Sequence, residues 1–266
     1  MHTQVDTLFN AIWQNYIAIT PSADAVHQLL ASDDETIVND HVAFRTFDRS
    51  KINLDKLAAH FLALGYKAMG DYDFAAKKLT AKHFEHPNPR NPKVFISELR
   101  VDELSDTAIA IINKIVDEID EDAVLANNFL YSGTHWKISA DEYRILLSES
   151  EYAAWMSAWG FRANHFTVSV NYLKSGLSHL EVNNTLKANG FKLNTSGGEI
   201  KGGPKVHLAQ SSTMADNQTV TFTDEVLKIP SCFYEFAERY KLPNGEIYQG
   251  FVAASADKIF ESTNAM

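Results

Sequence analysis

The chain has 266 residues, 45% apolar and 22% charged, an ordinary globular balance long enough to bury a sizeable core. A formal net charge of −10, with no clusters of Lys and Arg, argues against nucleic acid and anionic membrane surfaces as partners. One cysteine, Cys232, excludes an intramolecular disulfide framework and a CxxC metal site, and neither a basic leader nor a membrane-length apolar run is visible, so a cytoplasmic, reducing setting is the expectation.

The spacing of Val5, Leu8, Ile12, Tyr16 and Ile19 predicts a helix over 3–19, closed before Pro21, and a short second helix follows over 23–31. HVAFRTF (41–47) reads as a strand. Asn53 is placed to cap a helix that runs to about Leu64 and stops at Gly65. Strands are expected near 66–69, 77–84 and 93–99, the last two separated by HPNPRNP (86–92), a loop with three prolines in seven residues. The middle of the chain is helical: Ser105 caps a helix to about Ile119, and another covers 141–159. HFTVSV (165–170) reads as a strand, 177–188 as a helix, and FKLN (191–194) and KVHLAQ (205–210) as strands. Between these, TSGGEIKGGP (195–204) carries four glycines. Further β signals lie in TVTFTDEVL (219–227) and CFYEFAERY (232–240), before a tail with one more strand and a short helix.

The order repeats. Aligning His41 with His165 gives, in each half, a strand opening on His, a helix, and then Leu-Gly-Tyr-Lys (64–67) or Asn-Gly-Phe-Lys (189–192). The His-to-Gly spacing is 24 residues in one half and 25 in the other. Both halves then end on a strand that sets an acid beside aromatics, Glu98 in the first and Glu235 in the second. Each half reads β-α-β-β-β, an internal duplication. The expected organisation is one compact domain of two modules, about 38–100 and 162–240, with a helical linker (101–160) and a C-terminal extension (241–266).

Alternation along a strand puts His41, Ala43 and Arg45 on one face, and His165, Thr167, Ser169 and Asn171 on the matching one. Val42, Phe44, Phe166, Val168 and Val170 take the opposite, apolar faces, where helices would pack. The polar faces then look into a cavity, since a dry and unpaired burial would cost several kcal/mol. Two equivalent strands thus aim His41 and His165 at one place, and a third adds Glu235. Two imidazoles and one carboxylate with open positions form the ligand set of non-haem Fe(II) oxygenases, although Zn(II) or Ni(II) would satisfy the same donors. Arg45 lies roughly 13 Å along the strand from His41 and can reach back to grip the far carboxylate of a short dicarboxylate. Ser169 and His207 are candidates to line the substrate side.

Other residues have plainer readings. Glu98 is expected to support a ligand or to be an exposed acid. His83 and His86 flank the proline loop and should be surface or lid residues. Cys232 faces away from Glu235, and Trp155 and Trp159 read as core packing. The glycine-rich segment lacks the Gly-Lys-Ser/Thr ending of a Walker loop, because Gly203 is followed by Pro204 and Lys205.

The duplicated β-α-β-β-β pattern resembles the vicinal oxygen chelate superfamily. More narrowly, His41-Val-Ala-Phe-Arg45, Asn164-His165-Phe166-Thr167 and Phe233-Tyr-Glu235 resemble the 2-oxoadipate dioxygenase/decarboxylase (2-hydroxyglutarate synthase) family over roughly 5–260. The resemblance implies an α+β fold with two modules forming a cupped, incomplete barrel. It implies Fe(II) on His41, His165 and Glu235, with Arg45 on the substrate's distal carboxylate. It further implies conversion of 2-oxoadipate and O₂ to 2-hydroxyglutarate and two CO₂ in lysine degradation. Two alternatives stay open. A glyoxalase-type isomerase or lyase would use Glu98 as a ligand, and a non-catalytic small-molecule-binding protein of the same fold would be indifferent to His41→Ala.

Overall fold

The structure, a computed structural model, describes residues 1–31 and 36–263. Two helices open the chain, α1 (Val5–Ile19) and α2 (Pro21–Leu30), with Pro21 in the first turn of the second, where a missing N–H costs nothing. The first module then runs β1 (Asn39–Phe47), α3 (Leu54–Leu62), β2 (Lys67–Phe74), β3 (Leu79–Glu85) and β4 (Lys93–Leu99). Asn53 caps α3 as expected, its side chain accepting from the Lys56 amide.

The linker holds α4 (Asp106–Asp117), capped by Ser105, then α5 (Ala140–Glu149) and α6 (Glu151–Trp159). The single helix expected over 141–159 is therefore two. Ser150 adopts extended backbone and its hydroxyl accepts from the Ala153 amide, ending one helix and capping the next. All of α6 from Tyr152 to Trp159 is buried.

The second module follows as β5 (Ala163–Ser169), α7 (His179–Ala188), β6 (Lys201–Gly203), β7 (Leu208–Ser212), β8 (Asn217–Thr221), β9 (Val226–Pro230) and β10 (Phe233–Arg239), before α8 (Ala253–Ile259). Strands β8 and β9 pair only with each other, as a hairpin inserted into the module. Several expected strands shrink. FKLN contributes one bridge, Leu193 to Thr213, and the tail contributes Lys241 to Ile247. The glycine-rich turn instead supplies β6, because its positive-φ glycines let the chain double back onto β7.

Eight strands form one sheet in the order β2-β3-β4-β1-β5-β10-β7-β6. Read inward from its two edges, the sheet has the same plan twice, and β2 and β6 are not joined, so the curled half-barrel stays open. In each half the first strand runs parallel to the last, β1 with β4 and β5 with β10. The halves meet through antiparallel β1 and β5. Helices cover the convex side. There Trp13 and Tyr16 of α1 pack at 5.0 Å on Phe166 of β5, with Tyr234 of β10 beside them. These are the faces opposite His165 and Glu235, as alternation requires. Among the described residues no helix is long and apolar enough to cross a membrane.

Candidate metal centre

His41, His165 and Glu235 come together on the concave side, each offering one ligand atom, all within 4.8 Å of one another. They are buried, and among the described residues theirs is the one His/Cys/Asp/Glu group of this kind. The Nε2 atoms of His165 and His41 stand 3.1 and 3.6 Å from the same carboxylate oxygen, Glu235 Oε2. The other oxygen, Oε1, accepts from Gln210 Nε2 at 2.7 Å. Oε2 is buried without a hydrogen-bond partner. A buried orphan carboxylate oxygen facing two imidazoles costs free energy unless a cation fills the gap, so these donors fit a divalent metal. Thr167 Oγ1 also lies 3.1 Å from His41 Nε2.

Each imidazole is oriented from behind by the residue just before it. His41 Nδ1 is 2.8 Å from Asp40 Oδ1, and His165 Nδ1 is 3.0 Å from Asn164 Oδ1. Neighbours on a regular strand point to opposite faces, so neither contact would form without an irregularity. The β1–β5 register slips twice, between Asn39 and His41 and, on the other strand, between Ala163 and His165. Asp40 and Asn164 are the extra residues at these bulges, which re-aim their side chains toward the following His. With Nδ1 engaged, each ring turns Nε2 toward Glu235.

The two supports differ in charge. Asp40 is gripped by Arg239, whose Nε and Nη2 donate at 2.6 and 2.9 Å. Arg239 also donates to the carbonyls of Tyr248 and Gly250 and lies over the Phe251 ring. Burial disfavours a charge on His41, but Glu235 and Asp40 outweigh it and raise its pKa. At His165 burial prevails and the pKa falls. Burial also opposes ionisation of Glu235, yet His41 and His165 hold it well below the usual carboxylate range.

The cavity at the donors is lined by Ala43, Arg45, Phe95, Ser97, Gln210 and Phe251, with Ile259 and Phe260 from the C-terminal segment. Arg45 therefore shares the cavity with the three donors. Its guanidinium is already engaged, donating to Glu151 at 3.1 Å and to Thr263 at 3.2 Å.

Other expected positions move. Ser169 is buried but is not among the cavity-lining residues, because it sits two residues beyond Thr167, at the far end of β5. His207 is not on a strand; it takes the left-handed conformation, φ 61°, in the turn before β7, and its ring faces Tyr248 rather than the cavity. The cavity side chain from that part of the chain is Gln210, three residues on. His83 is buried, not superficial, between Tyr72 and Glu85. Glu98 is not the counterpart of Glu235. The parallel registers set Phe95 beside Ala43 and Glu235 beside Thr167, so Phe95 fills the equivalent place. Glu98 faces away, accepting from the Leu54 amide at the start of α3 and from Thr80. Trp159 is core, as expected, and Trp155 both packs and stacks on Arg45. Cys232 is fully buried, its thiol pushed up to about 12 by burial.

A half-barrel that repeats one strand plan twice, with two imidazoles and one carboxylate on its concave side, defines a fold whose donors could hold a metal. Comparison with known sequences narrows this. Residues 2–246 match the 2-oxoadipate dioxygenase/decarboxylase family, and the chain belongs to that family. A chloroplastic 2-oxoadipate dioxygenase/decarboxylase of Arabidopsis thaliana is 40% identical over 275 residues, covering 93% of this chain and 74% of the relative. The crystal structure of a Shewanella frigidimarina protein, provisionally described as a hydrolase, is 56% identical, with TM-score 0.92 over 95% of this chain and 99% of that one. The hydroxyglutarate synthase of Oryza sativa, solved with 2-oxoadipate, is 36% identical, with TM-score 0.86 over 97% of this chain and 91% of that one.

Proposed function

We propose that this chain is an Fe(II)-dependent dioxygenase that decarboxylates a 2-oxo dicarboxylic acid, with 2-oxoadipate as substrate and 2-hydroxyglutarate as product. Family membership and the 2-oxoadipate bound by the rice relative support the substrate class. The observation that carries the metal reading is the orphaned Glu235 Oε2 held between two Nε2 atoms in a buried site. Bound iron would supply a Lewis-acidic centre with open positions for the 2-oxo acid and O₂.

The residues of the chain divide the remaining work. His41, His165 and Glu235 are the ligands. Asp40 and Asn164 fix the two rings, and Gln210 holds Glu235 so that a single oxygen faces the metal. Arg45 takes the distal carboxylate. Phe95, Phe251 and Phe260 line the site with apolar surface and limit water. The expectation of two CO₂ is corrected by carbon balance: a six-carbon acid that becomes a five-carbon hydroxy acid releases one, and both atoms of O₂ are accounted for between product and CO₂. The glyoxalase-type alternative loses its expected ligand, since Glu98 is spent on α3 and Thr80. A single domain of two modules, a cytoplasmic setting and a role in lysine breakdown complete the reading.

The test is a panel of 2-oxo acids offered to Fe(II)-reconstituted enzyme. Coupled O₂ uptake that is lost in His165→Ala, with a raised KM for 2-oxoadipate in Arg45→Ala, supports it. Stoichiometric iron without uptake on any 2-oxo acid overturns it.

A further inference from the structure

The cavity at the three donors has a volume of only ≈ 20 Å³, room for about one or two waters. A six-carbon acid does not fit with the walls as they stand, so some wall must move. Arg45 is one of the lining residues. Its side chain is 1% exposed, and its Nη1 donates to both oxygens of Glu151, at 3.1 and 3.3 Å. The guanidinium lies 4.8 Å from the Tyr152 ring and 4.9 Å from that of Trp155, and its Nη2 donates to Thr263. Its Nε has no partner.

Glu151 differs from the other groups on Arg45. Its side chain is 23% exposed, and it borders a second pocket of ≈ 210 Å³ that Lys77 and Lys78 also line. Phe260 lines both cavities and Glu151 lines the outer one, with Arg45, its partner, on the inner one. The remaining contacts of Arg45 are anchored. The Tyr152 hydroxyl is tied to the Thr46 amide and to Ser97, and the Trp155 indole donates to the Ser231 carbonyl.

We propose that Glu151 is a specificity-determining latch, neutralising Arg45 until the distal carboxylate of a 2-oxo dicarboxylate displaces it into the outer pocket. The proposal rests on the reading of Arg45 as the distal-carboxylate site. Leaving Glu151 in place would set two carboxylates on one buried guanidinium, with one negative charge uncompensated, an arrangement a buried site does not tolerate. The outer pocket offers the released carboxylate space, beside Lys77 and Lys78, which it would share with Asp257 and Glu149. Tyr152 and Trp155 keep the guanidinium plane in position through the exchange by cation–π contact. A 2-oxo acid with an apolar tail brings no charge to exchange and leaves the latch shut, so selection works against the wrong ligand as well as for the right one.

The test is anaerobic calorimetric titration of Fe(II)-loaded wild type, Glu151→Gln, Glu151→Ala and Arg45→Gln with 2-oxoadipate and with 2-oxohexanoate, which lacks the distal carboxylate. Melting temperatures establish that each variant is folded. Removing the competing charge should lower the 2-oxoadipate Kd roughly two- to fivefold in both Glu151 variants, the scale of a partly exposed ion pair, and should not tighten 2-oxohexanoate. A raised or unchanged 2-oxoadipate Kd overturns the latch, because Glu151 then positions Arg45 or never competes for it. Equal tightening of both acids also overturns it, marking a generally loosened site. If Arg45→Gln binds 2-oxoadipate as wild type does, the underlying reading of Arg45 fails, separately from the latch.

Discussion

Asp40→Asn separates the two tasks of the residue behind His41. Asp40 and Arg239 are both about 5% exposed and joined by two hydrogen bonds, so the substitution leaves a buried guanidinium without its counter-charge. Breaking such a pair from one side costs about 3 kcal/mol or more. At ~2–4 °C per kcal/mol for a chain of this size, the melting temperature should fall by roughly 6–12 °C. Independently, His41 Nδ1 exchanges a carboxylate at 2.8 Å for a neutral amide, which should weaken metal binding about 10–100-fold. Chelator-competition titration with Co(II) reads the second effect and calorimetry of the metal-free protein the first. Adding Arg239→Gln removes the stranded charge, so the double variant should recover stability but not metal affinity. Wild-type Co(II) affinity in Asp40→Asn would refute the reasoning and reduce Asp40 to a partner of Arg239.

Three further outcomes follow from the same geometry. Glu235→Gln keeps the shape and the contact with Gln210 but removes the anionic oxygen facing both imidazoles, so the loss of metal affinity, measured by the same titration, should exceed the ~10–100-fold typical of an outer support. Phe251→Ala removes a ring 4.8 Å from His41 and 5.0 Å from Phe95, and should lower unfolding free energy in urea by about 3–5 kcal/mol while weakening metal binding. His179, pushed down to about 4 by burial, is neutral in the folded state, whereas its unfolded counterpart takes up a proton below about pH 6.5. Its contribution is therefore complete above pH 6.5 and is lost on acidification toward pH 4, by about 3 kcal/mol in all; urea melts across that range should show a flatter pH slope in His179→Gln.

Much of the centre was legible from the sequence because strand alternation is strict. Face and repeat alone bring His41, His165 and Glu235 to one place, where the structure also has them, and the helices that pack behind them follow from Phe166 and Tyr234 on the opposite faces. What escaped has identifiable causes. Asp40 and Asn164 support the rings only because bulges break the alternation, and a one-residue bulge leaves no periodic trace. The order of acids in the two halves matches Glu98 to Glu235, whereas the ladder pairs Glu235 with the place of Phe95. KVHLAQ reads as a strand that includes His207, but the strand starts at Leu208, and its cavity residue is Gln210. Glu151, Thr263 and Phe260 reach Arg45 from the linker and the C-terminal segment, contacts spanning more than a hundred residues, to which local pattern is blind.

On the proposed function, metal held by His41, His165 and Glu235 couples O₂ consumption to decarboxylation of a 2-oxo dicarboxylate. Anaerobically loaded Fe(II) enzyme, mixed with 2-oxoadipate and a measured amount of O₂, should form 2-hydroxyglutarate, with one CO₂ released for each O₂ consumed and no turnover in Glu235→Gln. Product formed without O₂ uptake, or uptake undiminished in Glu235→Gln, would contradict it.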